Sequence, residues 1–157
     1  MHSVKLVAIS AGLALAMTSA ALSCTRPDGA IAQEFAGWLN GLRAKHGLQP
    51  LRMDAALTRA AGAHVCDMSE NDFLGHKGSG GSTLKSRLKK TGYRLSAATE
   101  NVARSSRAPA AATVAGLWEN SDGHLANLLN PAITEMGLAV ATEAGMTWYV
   151  FVGARPR

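Results

Sequence analysis

The sequence lacks the usual signatures of an enzyme. It contains no G-x-S-x-G elbow, no H-E-x-x-H, no Walker A loop, no C-x-x-C pair and no G-x-G-x-x-G after a strand. The hydrolase, zincin, nucleotide-binding and thiol-redox classes that depend on those motifs lose their support. It also lacks internal repeats and long linkers, so 157 residues, less a removable leader, form one domain rather than two. Charge of one sign is not abundant either: the formal net charge is only +5, falling to +4 when Lys5 leaves with the leader. The basic residues concentrate in "LKSRLKKTGYR", where Lys85, Arg87, Lys89, Lys90 and Arg94 fall within ten residues. Tyr93 apart, no aromatics are interleaved with these cations, and with an export signal present nucleic acid is a poor partner. A solvated helix face is the default for this run, and contact with anionic envelope polymers or lipid headgroups is its functional alternative.

Long apolar runs are absent except at the start. Lys5, the run "LVAISAGLALAM" and the small-residue stretch "TSAALSC" have the layout of a secretory signal peptide over residues 1–20, with cleavage at about 20–23. The run from Leu6 to Ser23 is Ala- and Ser-rich, barely long enough to span a bilayer and followed by no stop-transfer cluster. The expected location is therefore secreted or periplasmic. Membrane association is expected only if that leader is retained or Cys24 is lipidated, and "ALSC" lacks the large aliphatic residue usual before a lipidated cysteine. Cysteine is scarce, with Cys24 and Cys66 alone. In an oxidising compartment a disulfide is their simplest use, worth ~4 kcal/mol for a loop of that length.

What is present reads as a mixed fold. Asp28 can cap a helix over about 29–46, with Ile31, Phe35, Trp38, Leu39 and Leu42 at helical spacing and Gly47 as its stop. Asp54 opens a second helix with the stripe Leu57, Ala60, Ala61, His64, Val65 and Met68, which makes His64 a core histidine satisfied by one or two hydrogen bonds. The loop "FLGHKGSGGSTL" leads into a short basic helix, Thr83 to Lys90. "ATENVAR" reads as a strand with Glu100 on the face of Val102, and a carboxylate there needs a partner. Pro109 starts a helix through Trp118, and "SDGHLANLL" forms a short one ended by Asn130-Pro131. "MGLAVAT" and "MTWYVFVGA" make a terminal hairpin around Glu143-Ala144-Gly145. The class is α+β, with helices covering both faces of a mostly antiparallel sheet.

Two loop or helix-start histidines, His76 and His124, and one inward-facing acid, Glu100, are the chemical candidates. With water they are a known zinc ligand set with one open position, or equally a polar cluster needing no metal. A helix start favours the neutral ring at His124.

From about Ile31 to Gly153 the chain resembles bacterial members of the CAP superfamily, the cysteine-rich secretory, antigen 5 and pathogenesis-related 1 proteins, also called SCP-like extracellular proteins. The resemblance rests on "LNGLRAKHGLQPLRMDAALTRAAGAHVCDM", "FLGHKG", "TENVA", "WENSDGHLANLLNP", "ITEMGLAVA" and the aromatic last strand, in that order. It implies a single domain over 28–155 with a three-layer α-β-α sandwich. It also implies a cavity lined by two histidines and one or two acids, at times holding zinc or another divalent ion. Matched by motif, these fall on His76, Glu100 and His124. Ser121 stands where many relatives carry a second acid, Thr99 where a glycine precedes the acid, and Leu125 where arginine often follows the histidine. Asn127, on the helix face of His124, and Asn101 read as residues that orient or fix neighbouring loops. The implied function is a non-catalytic exported binding module for a lipid, an envelope component or a protein. The alternatives are a purely structural cluster and a metal-dependent hydrolase in which Glu100 is the candidate base.

Overall fold

A computed structural model describes Cys24 and residues 28–157; the expected leader, residues 1–20, and its expected cleavage site lie outside the described residues. The described chain forms α1 (Asp28–Lys45), β1 (Arg52–Met53), α2 (Ala55–Glu70), α3 (Leu84–Lys90) and β2 (Leu95–Ser105). It continues with α4 (Ala111–Glu119), α5 (Asp122–Leu128), β3 (Glu135–Glu143) and β4 (Met146–Pro156). Strand order is β1-β3-β4-β2, antiparallel except for the β1–β3 pair. Among the described residues this leaves β2 with one unpaired edge.

The terminal hairpin forms where the pattern places it, with Ala144 and Gly145 at positive φ in the turn. Strands β3 and β4 are apolar on both sides, because both faces are covered. One face packs with Phe35, Leu39, Val114 and Trp118 of α1 and α4 around Leu138, Val140, Tyr149 and Phe151. The other packs with Leu57, Ala61, Val65, Met68 and Leu88 of α2 and α3 around Ala139, Val150 and Val152. Gly137 permits the close approach on that second side, since a Cβ there would overlap the backbone of Leu57 and Thr58.

Helix α2 is capped as its sequence predicts: the Asp54 carboxylate accepts from the amides of Ala56 and Leu57. In α3, Thr83 and Ser86 form a reciprocal capping box. Several elements differ from the sequence reading. Helix α4 begins at Ala111 rather than Pro109, with Ala110 extended as the residue before it. The two-residue strand β1 is too short to carry a period, and its parallel pairing to β3 creates it.

Cys24 and Cys66 are joined in a disulfide with Cα atoms 5.5 Å apart. A sulfur so engaged has no thiol left to carry a lipid.

Two buried arginines depart from the surface reading of basic residues. Arg43, 1% exposed, donates to the carbonyls of Gln49, Leu128 and Asn130 and so ties the end of α1 to the end of α5. Arg87, from the run read as a solvated face, is 6% exposed. Lys85, Lys89, Lys90 and Arg94 do stay in solvent.

Candidate functional site

The open edge of β2 organises the site. Alternate carbonyls of an edge strand point away from the sheet and need donors. Two helices on the α1 side supply them: Trp118 Nε1 of α4 donates to Val102 O at 3.3 Å, and Asn127 Nδ2 of α5 donates to Glu100 O at 3.2 Å. Asn127 also donates to Asn101 Oδ1 at 2.8 Å, while Asn101 Nδ2 donates to His124 O at 3.0 Å. The two asparagines therefore dock α5, and with it His124, against the edge.

Glu100 points to the other side of the sheet, where it is 6% exposed. Its partner is the buried Arg87, whose Nη2 donates to Oε2 at 2.6 Å and to His76 O at 3.1 Å. Nη1 of the same guanidinium donates to the carbonyl and hydroxyl of Ser82, both at 3.2 Å. One side chain thus neutralises the acid and gathers both ends of the glycine-rich loop. Gly78 within that loop is buried against Ser82 and the Asp67 carboxylate, which leaves no room for a Cβ. Asp67 fixes the loop by accepting from the Ser79 amide at 2.9 Å and from its hydroxyl.

His76 rides on this loop. Its Nδ1 meets Glu100 Oε1 at 3.0 Å, with the imidazole side chain 63% exposed and the carboxylate 3%. A buried acid at Nδ1 orients the ring and leaves Nε2 as its unengaged nitrogen. His124, in the first turn of α5, sits beside Trp118 with ring centroids 6.4 Å apart. Burial first, and the nearby His76 second, hold its imidazole below the ordinary histidine value. Its Nδ1 is buried without a hydrogen-bond partner among the described residues. The direction is the one the helix-start argument expects, but its causes are desolvation and a second imidazole.

His64 is a core histidine. It is fully buried, its Nε2 donates to Gly75 O at 2.7 Å just before His76, and burial lowers its pKa. Ser121 precedes α5 without making a side-chain cap.

The structure thus brings His76 and Glu100 into direct contact and places His124 across the same strand edge. Among the described residues no three His, Cys, Asp or Glu side chains are grouped to hold a metal ion. Both Glu100 oxygens are engaged, so the donors on offer are the two imidazoles. The residue that sequence reasoning missed is Arg87. Its signal was present, because Arg87 follows Leu84 by three residues and precedes Leu88 on one helix face, opposite an acid in search of a partner.

The sequence profile of the cysteine-rich secretory protein family, CAP, matches residues 38–153. The chain belongs to the CAP family. The uncharacterized protein YkwD of Bacillus subtilis is 33% identical over 109 residues, which are 69% of this chain and 41% of that one. The chain therefore matches less than half the length of that relative. An extracellular SCP-domain protein of Bacillus anthracis superposes with a TM-score of 0.71 at 28% identity, covering 80% of this chain and 40% of that chain. An outer surface protein of Borrelia burgdorferi gives a TM-score of 0.76 at 20% identity, covering 86% and 100%, and shows the shared fold. The α-β-α layering of this CAP domain is thus found in bacterial surface and extracellular proteins.

Proposed function

We propose that this CAP domain is an extracytoplasmic, non-catalytic binding module whose contact point is the β2 edge bearing His76 and His124. The observation that carries the reading is the contrast within one pair: an exposed imidazole clamped by a buried carboxylate that is itself held by a buried arginine. A cluster needed only for stability gains nothing from keeping one member in solvent, whereas a ligand-facing group needs a rigid support and an open nitrogen. The leader and the extracellular Bacillus anthracis relative support the location. Among the described residues no helix is long and apolar enough to cross a membrane.

A divalent ion such as zinc fits this site only as a two-imidazole complex completed by water, because Glu100 would have to leave Arg87 to become a ligand. Such an ion would supply Lewis acidity and an anchoring point for an anionic or carbonyl group. His76 would present Nε2 and Glu100 would orient its ring. The same engagement weighs against a hydrolase, in which Glu100 would need a free oxygen to act as general base. A lipid, an envelope component or a partner protein are the ligand classes in view.

Calorimetric titration of zinc into the mature protein tests the reading, run beside mass spectrometry of an organic extract of protein from its native host. Weak binding of one ion is expected, with a loss of about tenfold or more in both His76→Ala and His124→Ala. Equal affinity in all three proteins, together with an extract free of bound ligand, would reduce the cluster to a structural role.

A further inference from the structure

We infer that the flank of α3 remote from the histidines is a second binding site, one for a phosphate-bearing anion. A groove of about 510 Å³ runs between α3 and the end of β4, lined by Lys85, Lys89, Arg94 and Arg157, with Tyr93 and Leu95 also in its wall. No acid lines it. Glu135, which reaches the groove wall through Tyr93, is already bound to Arg52 and to the Tyr93 hydroxyl. None of the four cations is in an ion pair among the described residues.

Lys85 and Lys89 are four residues apart on one helix, a spacing at which like charges destabilise it. Arg157 is drawn toward the groove rather than away: its Nε donates to Leu95 O at 3.0 Å and its amide to Arg94 O at 2.8 Å. Its terminal nitrogens make no hydrogen bond among the described residues, so a fixed fork faces solvent beside three further cations. A concave surface lined by one sign of charge concentrates counter-ions. Guanidinium forks and lysine point charges are the donors that phosphate oxygens select.

Across α3 a second groove of about 530 Å³ adds Arg59 and Lys90, with the hydrogen-bonded Asp67 as its acid. Charge therefore continues on both flanks of one short helix. A single carboxylate offsets one such cation, whereas an oligophosphate or a phosphate headgroup in a charged surface offsets several. The phosphate comes either from a soluble chain or from a phospholipid.

The experiment separates these sources. Full-length mature protein is titrated calorimetrically with sodium tripolyphosphate, and in parallel sedimented with phosphatidylglycerol vesicles against phosphatidylcholine vesicles. Polyglutamate is a further titrant. Lys89→Gln/Arg94→Gln removes two exposed charges from the groove, and Lys45→Gln/Arg107→Gln removes two exposed charges from the opposite layer. The groove variant is expected to lose roughly 30-fold in affinity while the control changes little. Binding by tripolyphosphate assigns a soluble phosphate, and binding by phosphatidylglycerol vesicles alone assigns the headgroup. Binding to neither, an equal loss in both double variants, or tighter binding of polyglutamate overturns the proposal. A weakening between low salt and 0.15 M is expected in either supporting case.

Discussion

Strands β4 and β2 lie side by side in one sheet yet bury themselves by opposite means. β4 is apolar from Trp148 to Val152, with every residue in that span 2% exposed or less, and helices on both faces suffice to cover it. β2 carries Glu100 and Asn101 into the interior and has a free edge besides. Its polar groups depend on donors from three different elements: Arg87 from α3, Trp118 from α4 and Asn127 from α5. An apolar strand is supported by many interchangeable contacts, whereas a polar edge depends on single, irreplaceable ones.

The sharpest way to break that contrast is Arg87→Ala. It leaves a carboxylate 3% exposed without its cation, which is expected to cost about 3–5 kcal/mol, as much as deleting a core leucine side chain. Replacing both partners, in Arg87→Met/Glu100→Leu, is expected to recover most of that loss, because the cost lies in the unpaired charge and not in the missing bridge. Urea unfolding midpoints of the three proteins decide it. A loss below about 1 kcal/mol in Arg87→Ala would mean that Glu100 finds water.

This pair also shows where sequence reading stops. Helices α1 and α2 were legible because their apolar stripes and caps, such as Asp54, are local, and α3 from its basic run after a glycine-rich loop. The hairpin was legible from alternation of apolar runs around one turn. Which side chain answers Glu100 was not, since the contact joins residues 13 apart in chain across two elements. A basic run looks the same whether all its members face water or one turns inward. His76, Glu100 and His124 could be named from motif resemblance, but their grouping at an edge follows from β2 lying outermost in the sheet. That order is set by long-range pairing with β4.

A smaller test of the same contrast is Asn127→Ala. It removes the donor to Glu100 O and Asn101 Oδ1 and is expected to cost about 1–3 kcal/mol. It should also loosen α5, so that amide hydrogen exchange rises from Asp122 to Leu128 while β3 and β4 stay protected. Uniform exchange across the domain would show that the edge is not held residue by residue.

The smallest effect expected is a pH dependence. Burial lowers the pKa of His64 and of His124 in the folded protein. The unfolded chain, with ordinary values near 6.5, then binds more protons than the folded one below that pH. Stability contributed by the neutral rings is complete above about pH 6.5 and declines as pH falls through and below it. His64→Gln retains a donor for Gly75 O and is expected to flatten that decline between pH 7 and 5, as read from urea midpoints. An unchanged slope would place the titration elsewhere.

The Cys24–Cys66 bond has a consequence for what proteolysis does to the protein. All of α1, the connection to β1 and most of α2 lie between the two linked residues. A protease that severs the backbone anywhere in that interval yields two fragments that stay covalently attached. The damaged molecule therefore migrates as one species until a reductant divides it.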